Sequence, residues 1–229
     1  MSFILVPKGF LKAKNTDNST AKELLHFSKW NIGTNIIGIL QMQAGFYFVG
    51  FYKSAPDVGI FSSAWNLAFG LDLLVFSMLT VFLPKVSKYK SREEFIAFVK
   101  QTLKVSVVMV VLLSPIYFFA DTLVLTIYSD KYQETILVFQ IMFIGTLISL
   151  PAHPISLILL SLNKPQIFTY VGIFTMILTC IGNVIAVPEH SAIGAAFVTS
   201  IMKVFNGVVL MWACYVLIAA PKQTTTATE

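Results

Sequence analysis

Charged residues are scarce in this sequence. Asp, Glu, Lys and Arg together make up 12% of its 229 residues, whereas soluble domains average about 25%. Hydrophobic residues reach 56%, and the mean hydropathy is +0.79. These values exclude a soluble domain. Because a membrane-spanning helix needs about 20 apolar residues, the length allows about five or six spans and no large domain outside the membrane.

Cysteine and histidine are also rare, which limits the chemistry open to the chain. The two cysteines, Cys180 and Cys214, lie inside apolar runs and predict buried thiols, not a disulfide framework. The three histidines (His26, His153 and His190) fall in separate segments, without the paired spacing of a metal site. We find neither a glycine-rich phosphate loop nor a nucleophile motif. We therefore expect no enzyme activity, no cofactor and no bound metal.

Basic residues outnumber acidic ones and give the chain a formal net charge of +5. They flank the apolar runs and do not form a soluble basic patch, so we expect no nucleic-acid partner. Lysines beside a hydrophobic span contact anionic lipid headgroups, which accounts for the basic balance. Membrane lipid is therefore an expected partner.

Six apolar segments predict the fold. Segment 58–83 has 26 residues, and as a helix it rises about 39 Å, enough to cross a hydrocarbon core of about 30 Å. We predict an all-α membrane protein, a six-transmembrane-helix bundle. Residues 1–29 are predicted to be a cytoplasmic segment and linker, and residues 220–229 a disordered cytoplasmic tail. The predicted spans are 30–52, 58–83, 103–120, 133–162, 166–187 and 191–219.

Two local signals refine these limits. Ser91 and Glu94 have the Ser-x-x-Glu spacing of a capping box, which predicts a helix start. The amphipathic stretch that follows is typical of a helix entering obliquely at the membrane interface. In the long fourth span, Pro151 and Pro154 predict an interruption, which leaves backbone carbonyl groups to be satisfied by neighbouring groups or water.

The basic residues are sorted between the two sides of the predicted bundle. Thirteen of the sixteen lie before the first span, between spans two and three, between spans four and five, or after span six. Only Lys53 and Lys131 fall on the other side, and Lys203 lies inside the last span. Because Lys and Arg concentrate on the cytoplasmic side of membrane proteins, both termini are predicted to be cytoplasmic.

Two charged residues fall near the middle of predicted spans. Asp72 lies in the second span and Lys203 in the sixth, and both spans start on the outer side, so the two side chains reach a similar depth. A charge there costs about 2.5–3.5 kcal/mol and faces a partner or water. One interpretation is a purely structural pair. The other is a polar cavity in which Lys203 offers positive charge to an anionic substrate, with His153 as a further candidate.

The first predicted span is unusually polar. Asn35, Gln41 and Gln43 place amides in the hydrocarbon, where they need partners, and four glycines allow other helices to approach closely. The amides therefore either bridge neighbouring helices or line a wet cavity. Both interpretations stay open from the residues alone.

Four short motifs resemble, in their order along the chain, motifs of bacterial and archaeal polysaccharide flippases. Residues 58–64 (VGIFSSA) are similar to a VGx[YF]xxA helix start, and residues 83–88 (LPKVSK) to a PxxSK helix exit. Residues 128–132 (YSDKY) resemble a YGxxY outer loop, with Ser129 where glycine is usual. Residues 194–199 (GAAFVT) are similar to a GAAxxT helix entry.

The resemblance implies the multidrug/oligosaccharidyl-lipid/polysaccharide exporter superfamily. Such plasma-membrane transporters have about twelve to fourteen helices in two six-helix lobes, which rock about a central, often cationic cavity and move lipid-pyrophosphate-linked sugars to the outer leaflet. The chain would correspond to the C-terminal lobe, with residues 1–10 as the tail of the preceding helix. The implied partners are an anionic lipid-linked glycan and either an N-terminal lobe or a second copy of the chain.

The resemblance also implies roles for individual residues. Lys203, Lys100 and Lys104 would attract the pyrophosphate, and the amides of the first span would hydrogen-bond sugar hydroxyls. Two alternatives remain: half of a cation-coupled multidrug antiporter, with Asp72 as the proton or Na⁺ site, and a membrane scaffold without transport activity. The candidate substrate-binding residues are Lys203, Asp72, Asn35, Gln41, Gln43, Lys100, Lys104 and His153.

Overall fold

The computed structural model describes residues 18–89 and 91–219. Side chains are described from Ser28 onward, apart from that of Lys90. The predictions made for the residues before position 18 and for the tail 220–229 therefore lie outside the described part of the chain.

Helices account for nearly all of the described residues, and the predicted all-α membrane bundle is confirmed. A 3₁₀ turn, Asp130–Tyr132, joins the fourth helix to the fifth. The helices are α1 (Asn18–Tyr52), α2 (Ala55–Val86), α3 (Arg92–Phe118), α4 (Ala120–Tyr128), α5 (Gln133–Ser149), α6 (Ala152–Ser161) and α7 (Gln166–Ala219).

Helix α7 is a hairpin of two spans and not one long straight helix. Its backbone leaves helical geometry at Ser191, where φ is 50° and ψ is −133°. The two halves, named α7a (166–190) and α7b (192–219), run antiparallel, because the residues in contact between them are paired symmetrically about position 190. These pairs are Gly182 with Val198, Thr175 with Asn206, and Phe174 with Phe205.

The described helices make six membrane crossings. Five of these helices are long and apolar enough to cross a membrane. One of the five is the α7 hairpin, which crosses twice. The short helix α6 continues the crossing begun by α5 after a break at Leu150 and Pro151. The chain is therefore a multi-pass membrane protein.

Two helices begin earlier than the hydropathy pattern indicates. Helix α1 begins at Asn18, inside the segment predicted to be a linker, because strong helix formers such as Ala21 and Leu24 extend the helix beyond its apolar part. Helix α3 begins at Arg92, so the amphipathic stretch and the third span form one continuous helix. Hydropathy detects the part of a helix that suits lipid and not the part outside it.

The predicted capping box at the start of α3 is confirmed. The Glu94 carboxylate accepts a hydrogen bond from the Ser91 backbone N–H at 2.8 Å, and the Ser91 hydroxyl oxygen accepts one from the Glu94 N–H at 3.2 Å. Each bond satisfies a backbone donor that a helix start leaves without an intrahelical partner.

The helices pack around α7 into two apolar clusters. Helix α7 contacts α1, α2, α5 and α6, whereas α3 lies at the edge of the bundle. One cluster is built around Phe61, Phe139 and Phe143, and the other around Ile158 and Leu210. Asp72, Thr146 and Lys203 lie between them along their respective helices, so the bundle is polar at mid-depth and apolar towards both ends.

Candidate functional site: a cavity at mid-depth

A cavity of about 360 Å³ lies between the two clusters. Helices α1, α2, α5, α6 and both halves of α7 contribute to its wall. Its volume falls within the range of about 300–1,000 Å³ that is usual for ligand sites. Its polar lining residues are Gln41, Asp72, Thr146, His153, Thr179, Thr199, Ser200, Lys203 and Asn206, beside the aromatic residues Trp65, Phe69 and Phe76.

Asp72 and Lys203 form an ion pair in this wall. The Lys203 Nζ atom lies 2.5 Å from Asp72 Oδ1 and donates a second hydrogen bond to Thr146 Oγ1 at 2.9 Å. The Lys203 side chain is 24% exposed and the Asp72 side chain 21% exposed, so both reach the cavity. Each charge offsets the cost of placing the other at this depth. The described residues contain no group of three or more His, Cys, Asp or Glu that could hold a metal ion.

Close packing of α5 against α7b positions Thr146, which accepts the second hydrogen bond from Lys203. A Cβ added to Gly145 would lie 2.6 Å from the Cβ of Ser200, so only glycine allows the two helices to approach this closely. Thr146 is the next residue along α5, and this approach brings its hydroxyl within hydrogen-bonding distance of the Lys203 ammonium group.

His153 lines the same cavity from the first turn of α6. A Cβ added to Gly207 of α7b would lie 2.8 Å from the Cβ of Ala152, so the two helices are also in close contact here. The Nε2 atom of His153 is buried and has no hydrogen-bond partner among the described residues. A buried polar atom without a hydrogen-bond partner lowers the stability of the fold by about 1–3 kcal/mol. His153 Nε2 is therefore a candidate for contact with a ligand or a water molecule.

Two amides line the cavity with hydrogen-bonding capacity to spare. Gln41 Nε2 donates to Thr179 Oγ1 at 3.4 Å, and Asn206 Nδ2 donates to Thr175 Oγ1 at 3.3 Å. The Thr179 hydroxyl itself donates to the Thr175 carbonyl, and the Thr175 hydroxyl to the Val171 carbonyl. Both hydroxyl protons are thus in use. Each amide keeps a second N–H and a carbonyl oxygen.

The structure brings together half of the residues singled out from the sequence. Lys203, Asp72, Gln41 and His153 all line the cavity. The other four candidates lie away from it. Asn35 donates to a carbonyl of its own helix, Gln43 is exposed on α1, and the two α3 lysines, Lys100 and Lys104, are exposed at the edge of the bundle.

The sequence interpretation missed eight of the twelve polar and aromatic residues of the wall, among them Asn206, Thr146 and Trp65. Asn206 follows Lys203 by three residues and therefore lies on the same face of its helix, so helical periodicity counted from Lys203 would have found it. Thr146 and Trp65 carry no comparable signal, because threonine and tryptophan occur throughout the apolar segments.

Comparison with known proteins identifies the family. The family described as "Polysaccharide biosynthesis protein" matches residues 11–137, more than half of the chain. The chain belongs to this polysaccharide biosynthesis family. The matched region covers α1 to α4 and contains Gln41 and Asp72, whereas Lys203 and Asn206 lie beyond it.

The family member is also similar to a curated protein, the "Probable low-salt glycan biosynthesis flippase Agl15" of Haloferax volcanii. The two are 22% identical over 203 residues, which cover 85% of this chain. The chain spans 42% of the length of that relative. No solved structure matches the chain significantly. Together, the family match and this relative confirm the polysaccharide flippase family that the four motifs resemble.

Proposed function

We propose that the chain is one lobe of a membrane transporter that flips a lipid-linked oligosaccharide or polysaccharide precursor during glycan biosynthesis. The family match, the name of the relative and the multi-pass architecture support this role. In this proposal the chain moves its substrate and carries out no chemical reaction on it. The observation that carries the proposal is the polar cavity at mid-depth in an otherwise apolar bundle.

The placement of the cavity suits alternating access. An apolar cluster lies on each side of it along the membrane normal, so each cluster can close one end of the path while the other end opens. Substrate held at mid-depth would then meet one membrane face at a time, as in transporters whose binding sites lie near the bilayer midplane.

The lysines proposed to bind substrate differ in what they can offer. Of the three N–H bonds of the Lys203 ammonium group, two point to Asp72 and Thr146, which leaves one for a substrate oxygen. Lys100 and Lys104 are exposed on α3 near the basic loop. We assign these two to anionic headgroups at the cytoplasmic surface, where a pyrophosphate-linked lipid would first be met.

The second half of the transport path requires another lobe. The chain spans 42% of the length of its relative, so more than half of that length is left for a partner to supply. We propose a separate N-terminal lobe or a second copy of this chain as that partner. Both termini are assigned to the cytoplasm, as the distribution of basic residues predicts. The assembly is assigned to the plasma membrane, as the family resemblance implies.

The two alternative functions receive less support from the site. A multidrug antiporter with Asp72 as its proton or Na⁺ site needs a carboxylate that is free to bind, and Lys203 already occupies Asp72 Oδ1. A scaffold without transport activity needs helix contacts only, and it leaves the cavity and its polar lining without a role.

Gene deletion and complementation in the native organism test the proposal. Cells without the chain should accumulate lipid-linked glycan that remains inaccessible to a membrane-impermeant lectin, because the glycan stays on the inner leaflet. Expression of the wild-type chain should restore lectin access, and the Gln43→Leu variant, altered outside the cavity, should restore it equally. Lectin access that is unchanged by the deletion would exclude the flipping role.

A further inference from the structure

We propose that the cavity of this lobe binds an uncharged sugar unit of the substrate and not its anionic phosphate group, with Gln41 and Asn206 as the residues that recognise the sugar. The inference rests on the proposed transport of a lipid-linked glycan. It adds which part of the substrate this lobe holds, and through which groups.

The charges in the wall argue against phosphate binding. Asp72 and Lys203 are the only Asp, Glu, Lys or Arg residues that line the cavity within the described part of the chain. They are paired with each other, so together they contribute no net charge. A phosphate placed beside Lys203 would also lie near the Asp72 carboxylate, which contacts the same ammonium group, and the repulsion would offset part of the attraction. The wall therefore suits a neutral ligand.

The two amides have the geometry for recognition of hydroxyl groups. Their anchors, Thr175 and Thr179, are four residues apart, so they lie on one face of α7a and are separated by about 6 Å along its axis, roughly the width of one sugar ring. Each amide presents one remaining donor and one acceptor. A sugar hydroxyl both donates and accepts, so such a pair can satisfy two hydroxyls of one ring.

Trp65 provides an aromatic surface in the same cavity. Its ring packs edge-on against Phe46, with centroids 5.7 Å apart, and lies against Phe61 at 6.3 Å, so it is held from the protein side. The C–H face of a pyranose ring packs against an aromatic ring, while its hydroxyls lie around the edge. Trp65 therefore suits the apolar face of a sugar, and Gln41 and Asn206 suit the hydroxyls around its edge.

Tryptophan fluorescence of the full chain in phosphatidylcholine nanodiscs tests the inference. The probes are octyl glucoside and octyl phosphate, which share an alkyl tail and differ in a neutral or an anionic head. We expect octyl glucoside to give a saturable change that is absent from the Trp65→Phe variant. Octyl phosphate should give no saturable change that depends on Trp65.

The amides are tested with matched variants. Gln41→Leu and Asn206→Leu should each weaken octyl glucoside binding about tenfold, since each removes two hydrogen bonds to the sugar. Gln43→Leu and Asn35→Leu remove the same groups outside the cavity and should change binding less than twofold. Gln41→Met replaces Gln41→Leu if the latter loses its folded elution profile.

Three results would overturn the inference: tighter binding of octyl phosphate than of octyl glucoside, binding that is unaffected by both cavity amides, or no saturable signal from either probe. The outcome is separable from that of the proposed function. Failure here with normal glycan flipping by the native assembly would reject only the neutral sugar site. Sugar binding without any effect of gene deletion on flipping would reject the transport role instead.

Discussion

Lys203 carries a full charge into the middle of a membrane span, and each of its contacts reduces the cost of that charge. Asp72 supplies the opposite charge and Thr146 an additional acceptor. The sequence already predicted that two charges at equal depth would need a partner or water. It could not show whether the two charged side chains contact each other or are each free to contact a ligand. That outcome depends on differences of less than an ångström in side-chain position.

The pair predicts unequal effects of single and double replacement. Lys203→Met should lower the free energy of unfolding by about 3–5 kcal/mol, because it leaves the Asp72 carboxylate unpaired in a poorly solvated site. The double variant Asp72→Asn, Lys203→Gln should lose much less, since no charge remains. The measurement is the temperature at which a thiol dye reacts with the buried Cys214 in a Cys180→Ala background.

A double variant as unstable as Lys203→Met would contradict this explanation. It would show that the groups are held by shape and hydrogen bonding and not by their charges. Lys100→Met, which changes an exposed lysine of α3, is the matched control and should leave the dye-reaction temperature unchanged.

At the scale of elements, the α7 hairpin decides which residues meet in the cavity. Its reversal at Ser191 brings Asn206 next to Thr175, so α7a and α7b face each other across the site. The reversal is held from outside the hairpin. The Ser191 hydroxyl donates to Asp57 Oδ1 at 2.5 Å, and the other oxygen of that carboxylate accepts a hydrogen bond from the Ser54 backbone N–H at the start of α2.

The backbone at Ser191 predicts a difference between two replacements. Its φ of 50° lies in the left-handed region, which costs a side-chain-bearing residue about 1–2 kcal/mol relative to glycine. Ser191→Ala loses the bond to Asp57 and keeps that cost, so it should be less stable than wild type by about 1–2 kcal/mol. Ser191→Gly loses the same bond but also the cost, and it should stay within about 1 kcal/mol of wild type.

The same dye assay on Cys214 measures both variants. Equal stability of Ser191→Gly and Ser191→Ala would show that the backbone conformation at this position carries no strain. The Asp57→Ala variant should be less stable than Ser191→Ala, because it removes the same hydrogen bond and also the one from the Ser54 backbone N–H at the start of α2.

Element limits show how far the sequence alone leads. The six crossings follow from apolar runs of sufficient length, and the start of α3 follows from the reciprocal spacing of Ser91 and Glu94. The start of α1 at Asn18 does not follow, because a helix that extends beyond the lipid has no hydropathy signal. Of the cavity wall, the sequence predicted Asp72, which is costly in lipid, and missed Thr146, which is not. Asn206 was missed although its amide also needs a partner there.

At the scale of the whole molecule, the distribution of basic residues predicts a direction through the membrane. Lys88 lies in the basic loop between α2 and α3, and Lys131 in the turn after α4, both with exposed side chains. Single cysteines at these positions, in a Cys180→Ala, Cys214→Ala background, should react differently in intact cells. An impermeant maleimide should label Lys131→Cys and not Lys88→Cys, because the basic loop is predicted to be cytoplasmic.

Labelling of Lys88→Cys in intact cells, with no labelling of Lys131→Cys until the cells are permeabilised, would reverse the orientation. The cavity would remain at mid-depth, since it lies between the two apolar clusters in either direction. The two exposed lysines of α3 would then face away from the side on which lipid-linked glycan is made, and their assignment to substrate headgroups would fail.

The most direct measurement is glycan flipping by the native assembly after the cavity has been filled. Thr199 lines the cavity and is only partly buried, so Thr199→Trp should extend into the space that substrate is proposed to occupy. Phe197→Trp places the same ring on the exposed face of the same helix. We predict that lectin access to the lipid-linked glycan is lost in Thr199→Trp and retained in Phe197→Trp, with both variants folded. Normal flipping by a folded Thr199→Trp variant would contradict the proposal that substrate passes through this cavity.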